Sequence, residues 1–211
     1  MPSSSRFATR SNAPNLVQVK VCGLTRPRDV ELCLELGVDR LGFVLAPSSR
    51  QIDLQQLDAL LALGPFFWSA VLVDAQPHLV QALLERGCPC LQFHGSESVE
   101  QLQGYRGRAH LVKALRVGHP DHLQADYPVD EYLLDGARPG HGLPFEWGWL
   151  SQHSPNRPFY LAGGLTPENV AEAIARVAPL GVDVSSGVEE APGHKCEHKL
   201  RRFVANVRAL C

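Results

Sequence analysis

A chain of 211 residues that is 45% hydrophobic can build one sizeable core, and its 20 Lys plus Arg nearly balance its 22 Asp plus Glu. This argues for one globular domain with no overall field to draw nucleic acid or an anionic membrane, and a local phosphate site is still compatible with it. Six cysteines (Cys22, Cys33, Cys88, Cys90, Cys196 and Cys211) in a chain too large to need disulfides, with no secretory apolar stretch before them, lead us to expect a cytoplasmic protein.

No apolar run approaches the roughly 18 residues of a membrane span, so no membrane association is expected. Cys88-Pro89-Cys90 has no second pair at zinc-site spacing and reads as a strand start, so no metal is expected either. Residues Met1 to Asn15, rich in Ser and carrying Arg6 and Arg10, read as a flexible N-terminal extension to a single domain over 16–211.

From there short β-rich runs alternate with helical stretches. The expected strands are Leu16 to Cys22, Arg40 to Leu45, Phe67 to Val73, Cys90 to His94, His110 to Leu115, Glu131 to Leu134, Phe159 to Ala162 and Val182 to Ser185. Between them lie expected helices over Arg28 to Leu36, Leu54 to Leu63, Pro77 to Arg86, Glu97 to Gln103, Asp121 to Ala125, Phe145 to Ser151, Pro167 to Val177 and Glu197 to Leu210. The early ones open near a capping residue or a proline, and several close at glycine. Eight such units in about 200 residues match an α/β fold of one (β/α)8 TIM barrel. A doubly wound open sheet is the competitor, but no G-x-G-x-x-G follows the first strand.

In a barrel the chemistry sits at the C-terminal ends of the strands. Strand one ends in Cys22-Gly23-Leu24-Thr25, strand two runs out to Arg50, strand four ends at His94-Gly95, and strand six at Asp135-Gly136. Strand seven ends in Gly163-Gly164 and strand eight in Ser185-Ser186-Gly187. Small residues on the last two loops expose backbone N–H groups, the usual phosphate position in barrels. Because strand eight neighbours strand one in a closed ring, Asp135, the phosphate cradle, Cys22 and Arg50 follow one another around it. A ligand with phosphate at one end and an acid group at the other suits this order, with the planar Arg50 guanidinium meeting the acid. A thiol and a carboxyl on separate strands suggest proton transfer. Cys22 would then need its pKa lowered, with Lys20 on the same strand face to help, and Asp135 would need to hold its proton.

Six ordered stretches together resemble the phosphoribosylanthranilate isomerases of tryptophan biosynthesis. These are Lys20 to Thr25, Gly42 to Arg50, Gln92 to Gly95, Leu133 to Trp147, Leu161 to Val170 and Val182 to Glu189. The resemblance implies an Amadori rearrangement without metal or cofactor. In it Cys22 would be the general base and Asp135 the general acid, and Arg50 would hold the anthranilate carboxylate. His94 and Asp183 would line the substrate site, and Gly142, Gly163, Gly164, Ser186 and Gly187 would bind phosphate. The implied partner is a small phosphorylated substrate, with the protein a monomer or a homodimer. His141 and Cys196 depart from the family pattern, the first in the loop that closes over phosphate, the second where aspartate is common at the start of the last helix. A catalytically silent barrel that binds phosphorylated ligands, an indole-glycerol-phosphate synthase and a sugar-phosphate epimerase are the alternatives; the latter two would need a lysine at the early strand tips or a metal set.

Overall fold

The computed structural model describes residues 16–117, 126–136, 150 and 155–210. The expected N-terminal extension, the expected helix at Asp121 to Ala125, His141, Gly142 and all but Leu150 of the expected helix from Phe145 to Ser151 lie outside the described residues.

Eight parallel strands close into a barrel: β1 (Gln18–Cys22), β2 (Arg40–Val44), β3 (Trp68–Leu72), β4 (Cys90–Phe93), β5 (His110–Arg116), β6 (Glu131–Asp135), β7 (Phe159–Ala162) and β8 (Gly181–Val184). The closing seam pairs Val19 with Val182 and Lys20 with Asp183, which excludes the open sheet. Among the described residues the α-helices of more than one residue are α1 (Pro27–Glu35), α2 (Leu54–Leu61), α3 (Pro77–Glu85), α4 (Val99–Gln103), α5 (Val170–Val177) and α6 (Glu197–Arg208). Between β8 and α6 lies a short antiparallel hairpin, β9 (Glu189–Ala191) with β10 (His194–Lys195).

Helix α1 starts at Pro27, one residue before the expected Arg28, after an extended Arg26, and the Thr25 Oγ1 before it donates to the Gly193 carbonyl at 2.7 Å. Two other helix starts differ more, each because a side chain bonds elsewhere. α4 starts at Val99, not Glu97, because Ser98 and Gln101 form a reciprocal capping box while Glu97 turns inward to Lys113. In α5 the first turn begins at Val170, since Asn169 Oδ1 accepts from the Thr166 amide at 2.8 Å and holds the preceding residues in a turn.

Strand alternation divides the core. Val19, Val21, Leu41, Phe43, Leu91, Leu134, Leu161 and Val182 face outward, where they pack with helix residues such as Val30, Leu57, Leu83 and Phe203. A smaller inner cluster of Cys90, Val112, Ala114, Leu133, Tyr160 and Ala162 fills the barrel. Much of the remaining interior is polar: Lys20, Arg40, Ser69, Gln92, Glu131 and Asp183 are all buried. Such groups cost free energy unless they are paired, so their partners define what the barrel holds.

Candidate active site

A pocket of about 200 Å³ opens at the C-terminal ends of the strands, where the sequence places it. Cys22, His94, Asp135 and Asp183 line its walls, and Gly163, Gly164, Ser186 and Gly187 line the side between β7 and β8.

Cys22 reaches the pocket because β1 stops there and the chain turns sharply. Gly23 has φ +75°, and the next two amides, of Gly23 and Leu24, both donate to the Gly42 carbonyl. A Cβ on Gly23 would lie 2.5 Å from Arg50 Cδ and 3.2 Å from Ser185 Oγ, so glycine lets the Arg50 stem cross the tip of β1 beside the thiol.

Two positions inward, buried Lys20 donates to Asp183 Oδ2 at 2.9 Å. Burial would lower its pKa, but the Asp183 and Cys22 charges raise it above the ordinary value, so it stays an ammonium. The thiol itself departs from expectation. Its pKa is raised, because burial outweighs the opposing Lys20 charge and the nearby Asp183 carboxylate adds to burial. Lys20 pulls in the expected direction without prevailing.

The cradle between β7 and β8 depends on backbone approach. Gly163 and Gly164 have consecutive positive φ angles of +88° and +67°. A Cβ on Gly187 would collide with the Leu165 carbonyl, so the loop after β8 can lie against the loop after β7 only with glycine there. The Asn169 side chain donates to the Gly164 carbonyl at 2.9 Å and fixes the first of these turns.

On the opposite wall His94 Nε2 lies 3.6 Å from Asp135 Oδ2. The Gln92 amide is 3.3 Å from His94 Nδ1; donating to it places the imidazole proton on Nε2, toward the carboxylate. The loop carrying His94 is clamped from below. Buried Lys113 donates to the Gly95 carbonyl at 2.6 Å and to Glu97 Oε2 at 2.7 Å, while Glu97 accepts from the Gly95 and Asp74 amides.

Arg50 is not part of the pocket lining. It stands beyond Gly23 and is held by Glu189, Nη2 donating to Oε2 at 2.6 Å and Nε to Oε1 at 2.9 Å. Glu189 and its second partner Lys195 escaped sequence reasoning, as did the Lys20–Asp183 pair and Gln92. Pro192-Gly193 between two short runs was the available signal for the β9–β10 hairpin. The identity of Glu189 as the Arg50 partner, 139 residues away, had none.

A closed parallel barrel whose strand tips gather a thiol, a carboxyl and a pair of glycine-bearing loops around one pocket defines a (β/α)8 enzyme scaffold. The chain belongs to the N-(5'-phosphoribosyl)anthranilate isomerase family, whose profile matches residues 19–206. The N-(5'-phosphoribosyl)anthranilate isomerase of Cellvibrio japonicus is 42% identical over 201 residues, covering 89% of this chain and 92% of its own. The crystal structure of phosphoribosyl anthranilate isomerase from Thermus thermophilus is 38% identical with a TM-score of 0.83, over 92% of this chain and 100% of that one. A phosphoribosyl anthranilate isomerase in complex with reduced 1-(o-carboxyphenylamino)-1-deoxyribulose 5-phosphate is 30% identical with a TM-score of 0.80, over 92% of this chain and 99% of that one. Among the described residues no helix is long and apolar enough to cross a membrane.

Proposed function

We propose that this chain converts N-(5-phosphoribosyl)anthranilate to 1-(2-carboxyphenylamino)-1-deoxyribulose 5-phosphate in tryptophan biosynthesis, by an Amadori rearrangement in which Cys22 is the base and Asp135 the acid. The observation that carries the reading is that both groups face one pocket with the glycine cradle between them. The related enzyme's ligand has a carboxyphenylamino group at one end and a phosphate at the other. That is the polarity set up by the cradle at Gly163, Gly164, Ser186 and Gly187 and by the Arg50 guanidinium beyond Cys22.

In this mechanism the Asp135 carboxyl protonates the furanose ring oxygen, and the C1–O bond breaks as the anilino nitrogen donates its lone pair. The resulting iminium acidifies C2. Cys22 thiolate takes the C2 proton, the C–H electrons form the C1–C2 double bond, and the enolamine becomes the ketose when C1 is protonated and the C2 hydroxyl gives up its proton. The oxidation level is exchanged internally, C1 being reduced as C2 is oxidised, with no external electron acceptor. Asp183 supports the reading through its second oxygen: Oδ1 is buried and makes no hydrogen bond among the described residues, which suits a sugar hydroxyl donor. His94 would bear on the ring from the Asp135 side.

Cys22→Ala and Asp135→Asn test this separately. Followed by the loss of fluorescence of freshly made phosphoribosylanthranilate, each is expected to lower kcat by about 100-fold or more, the scale of general acid–base catalysis. If both variants turn over at the wild-type rate, the mechanism is wrong.

A further inference from the structure

Arg50 is held far more firmly than a surface arginine. Two of its three nitrogens are spent on Glu189, and among the described residues Nη1 makes no hydrogen bond. Glu189 in turn is buried, and its Oε1 also accepts from Lys195 Nζ at 2.8 Å and from the Gly193 amide at 3.2 Å. Burial alone would raise the Glu189 pKa, but Arg50 and Lys195 outweigh it and keep the carboxylate ionised.

Lys195 has no exposed surface, and its ammonium donates in three directions. It bonds Glu189, the Cys22 carbonyl at 2.7 Å and, at 3.4 Å, the Ser185 carbonyl. One buried cation thus ties together the strand tip that carries the thiol, the loop that forms half of the phosphate cradle, and the carboxylate that grips Arg50. Two cations against one anion leave a single positive charge in excess, and Nη1 is the guanidinium nitrogen that Glu189 does not take. A second anion would balance that charge; a neutral ring does not need it.

We propose that Glu189 and Lys195 are positioning residues for recognition of the substrate's ring carboxylate: they hold the Arg50 guanidinium by its Nε–Nη2 edge, in register with Cys22 and the β8 loop, and leave Nη1 to the ligand. This rests on Arg50 being the carboxylate's partner. It deepens that reading by making selectivity for a carboxylated substrate a property of three residues, two of which never touch it.

The test compares two substrates in the full-length chain: phosphoribosylanthranilate and the phosphoribosyl derivative of aniline, identical but for the carboxylate. Glu189→Gln keeps the shape but turns one acceptor into a donor facing Arg50 and Lys195. It is expected to lower kcat/KM for the carboxylated substrate by about tenfold or more, mainly through KM, and for the aniline derivative by less than about threefold. Lys195→Met should act in the same sense, and Arg50→Met should show the largest difference between the two substrates. Dissociation constants of the reduced ketose phosphates, with and without the carboxylate, read the same difference without turnover. If Arg50→Met is selective but Glu189→Gln lowers both substrates equally, or neither, the pair is only a strap for the hairpin and the proposal is overturned while the role of Arg50 stands. If Arg50→Met itself does not distinguish the substrates, the carboxylate assignment falls and the proposal with it.

Discussion

Lys20 sets how much thiolate Cys22 can supply. Burial pushes the thiol up and Asp183 pushes it further, so the Lys20 ammonium is the principal charge working against both. Removing it has two consequences of the same sign: the thiolate loses its nearest cation, and the Asp183 carboxylate, no longer paired, repels the thiolate more strongly. Lys20→Met should therefore move the ascending limb of kcat/KM against pH to higher pH by at least about one unit, which at a fixed pH on that limb is about tenfold in rate. A limb that stays in place would mean that a group other than Cys22 titrates there. Lys195 acts on the thiol in the same direction but more weakly, so Lys195→Met is expected to move the limb the same way by less and to change KM as well, which separates the two lysines by the size of the shift.

At the scale of elements, the strand tips were legible because alternation is short-ranged and strict. Once β1 was placed, Lys20 and Cys22 had to share a face, and the loops after β7 and β8 declared themselves by glycine. What sequence could not give was depth and partnership. Glu97 reads as the first residue of a helix, yet it is worth more as the buried partner of Lys113 under the His94 loop, and the helix starts two residues later. Whether Arg50 meets a ligand directly or first meets Glu189 depends on a hairpin whose two strands are three and two residues long, too short for periodicity to register. The start of α6 shows the opposite case, a local rule that sequence reads well. Cys196 sits at the N-cap with extended φ and ψ of -87° and 114° and makes no side-chain cap bond. Cys196→Asp should place a carboxylate oxygen on the vacant amides of the first turn and stabilise the protein by about 1 kcal/mol. Thermal unfolding would register that as a rise of about 2–4 °C. Unchanged kcat is expected, and an unchanged or lower Tm would show that the first-turn amides are already satisfied.

Across the whole molecule, the end of the barrel opposite the pocket is closed by charge, not by hydrocarbon alone. Arg40 at the start of β2 spans the barrel to Glu131 at the start of β6, with Nη1 to Oε2 at 2.9 Å. The guanidinium lies 4.6 Å from the Tyr160 ring centroid and 5.2 Å from that of Phe67, so it is sandwiched as well as paired. His110 Nε2 approaches Glu131 at 3.2 Å, and the Tyr160 hydroxyl donates to the Gln18 side chain across the β7–β1 side. Strands one, two, five, six and seven therefore share one polar network at the barrel floor, which holds opposite walls at a fixed separation while the other end stays open for a ligand. For Glu131, burial raises the pKa, but His110 and Arg40 outweigh it and bring the carboxylate below its ordinary value of 4.5. The folded state thus binds this proton less readily than the unfolded chain. The stabilisation is complete above about pH 4.5 and drains away as pH falls through the lower folded value. Glu131→Gln leaves the Arg40 charge buried without its counter-ion and should cost about 3–5 kcal/mol near neutral pH. The difference in Tm between wild type and variant should then narrow as pH falls below about 4.5, because the wild-type carboxylate is itself being protonated. A gap that is constant from neutral to acid pH would show that shape at the barrel floor, and not the charge spanning it, holds the strands together.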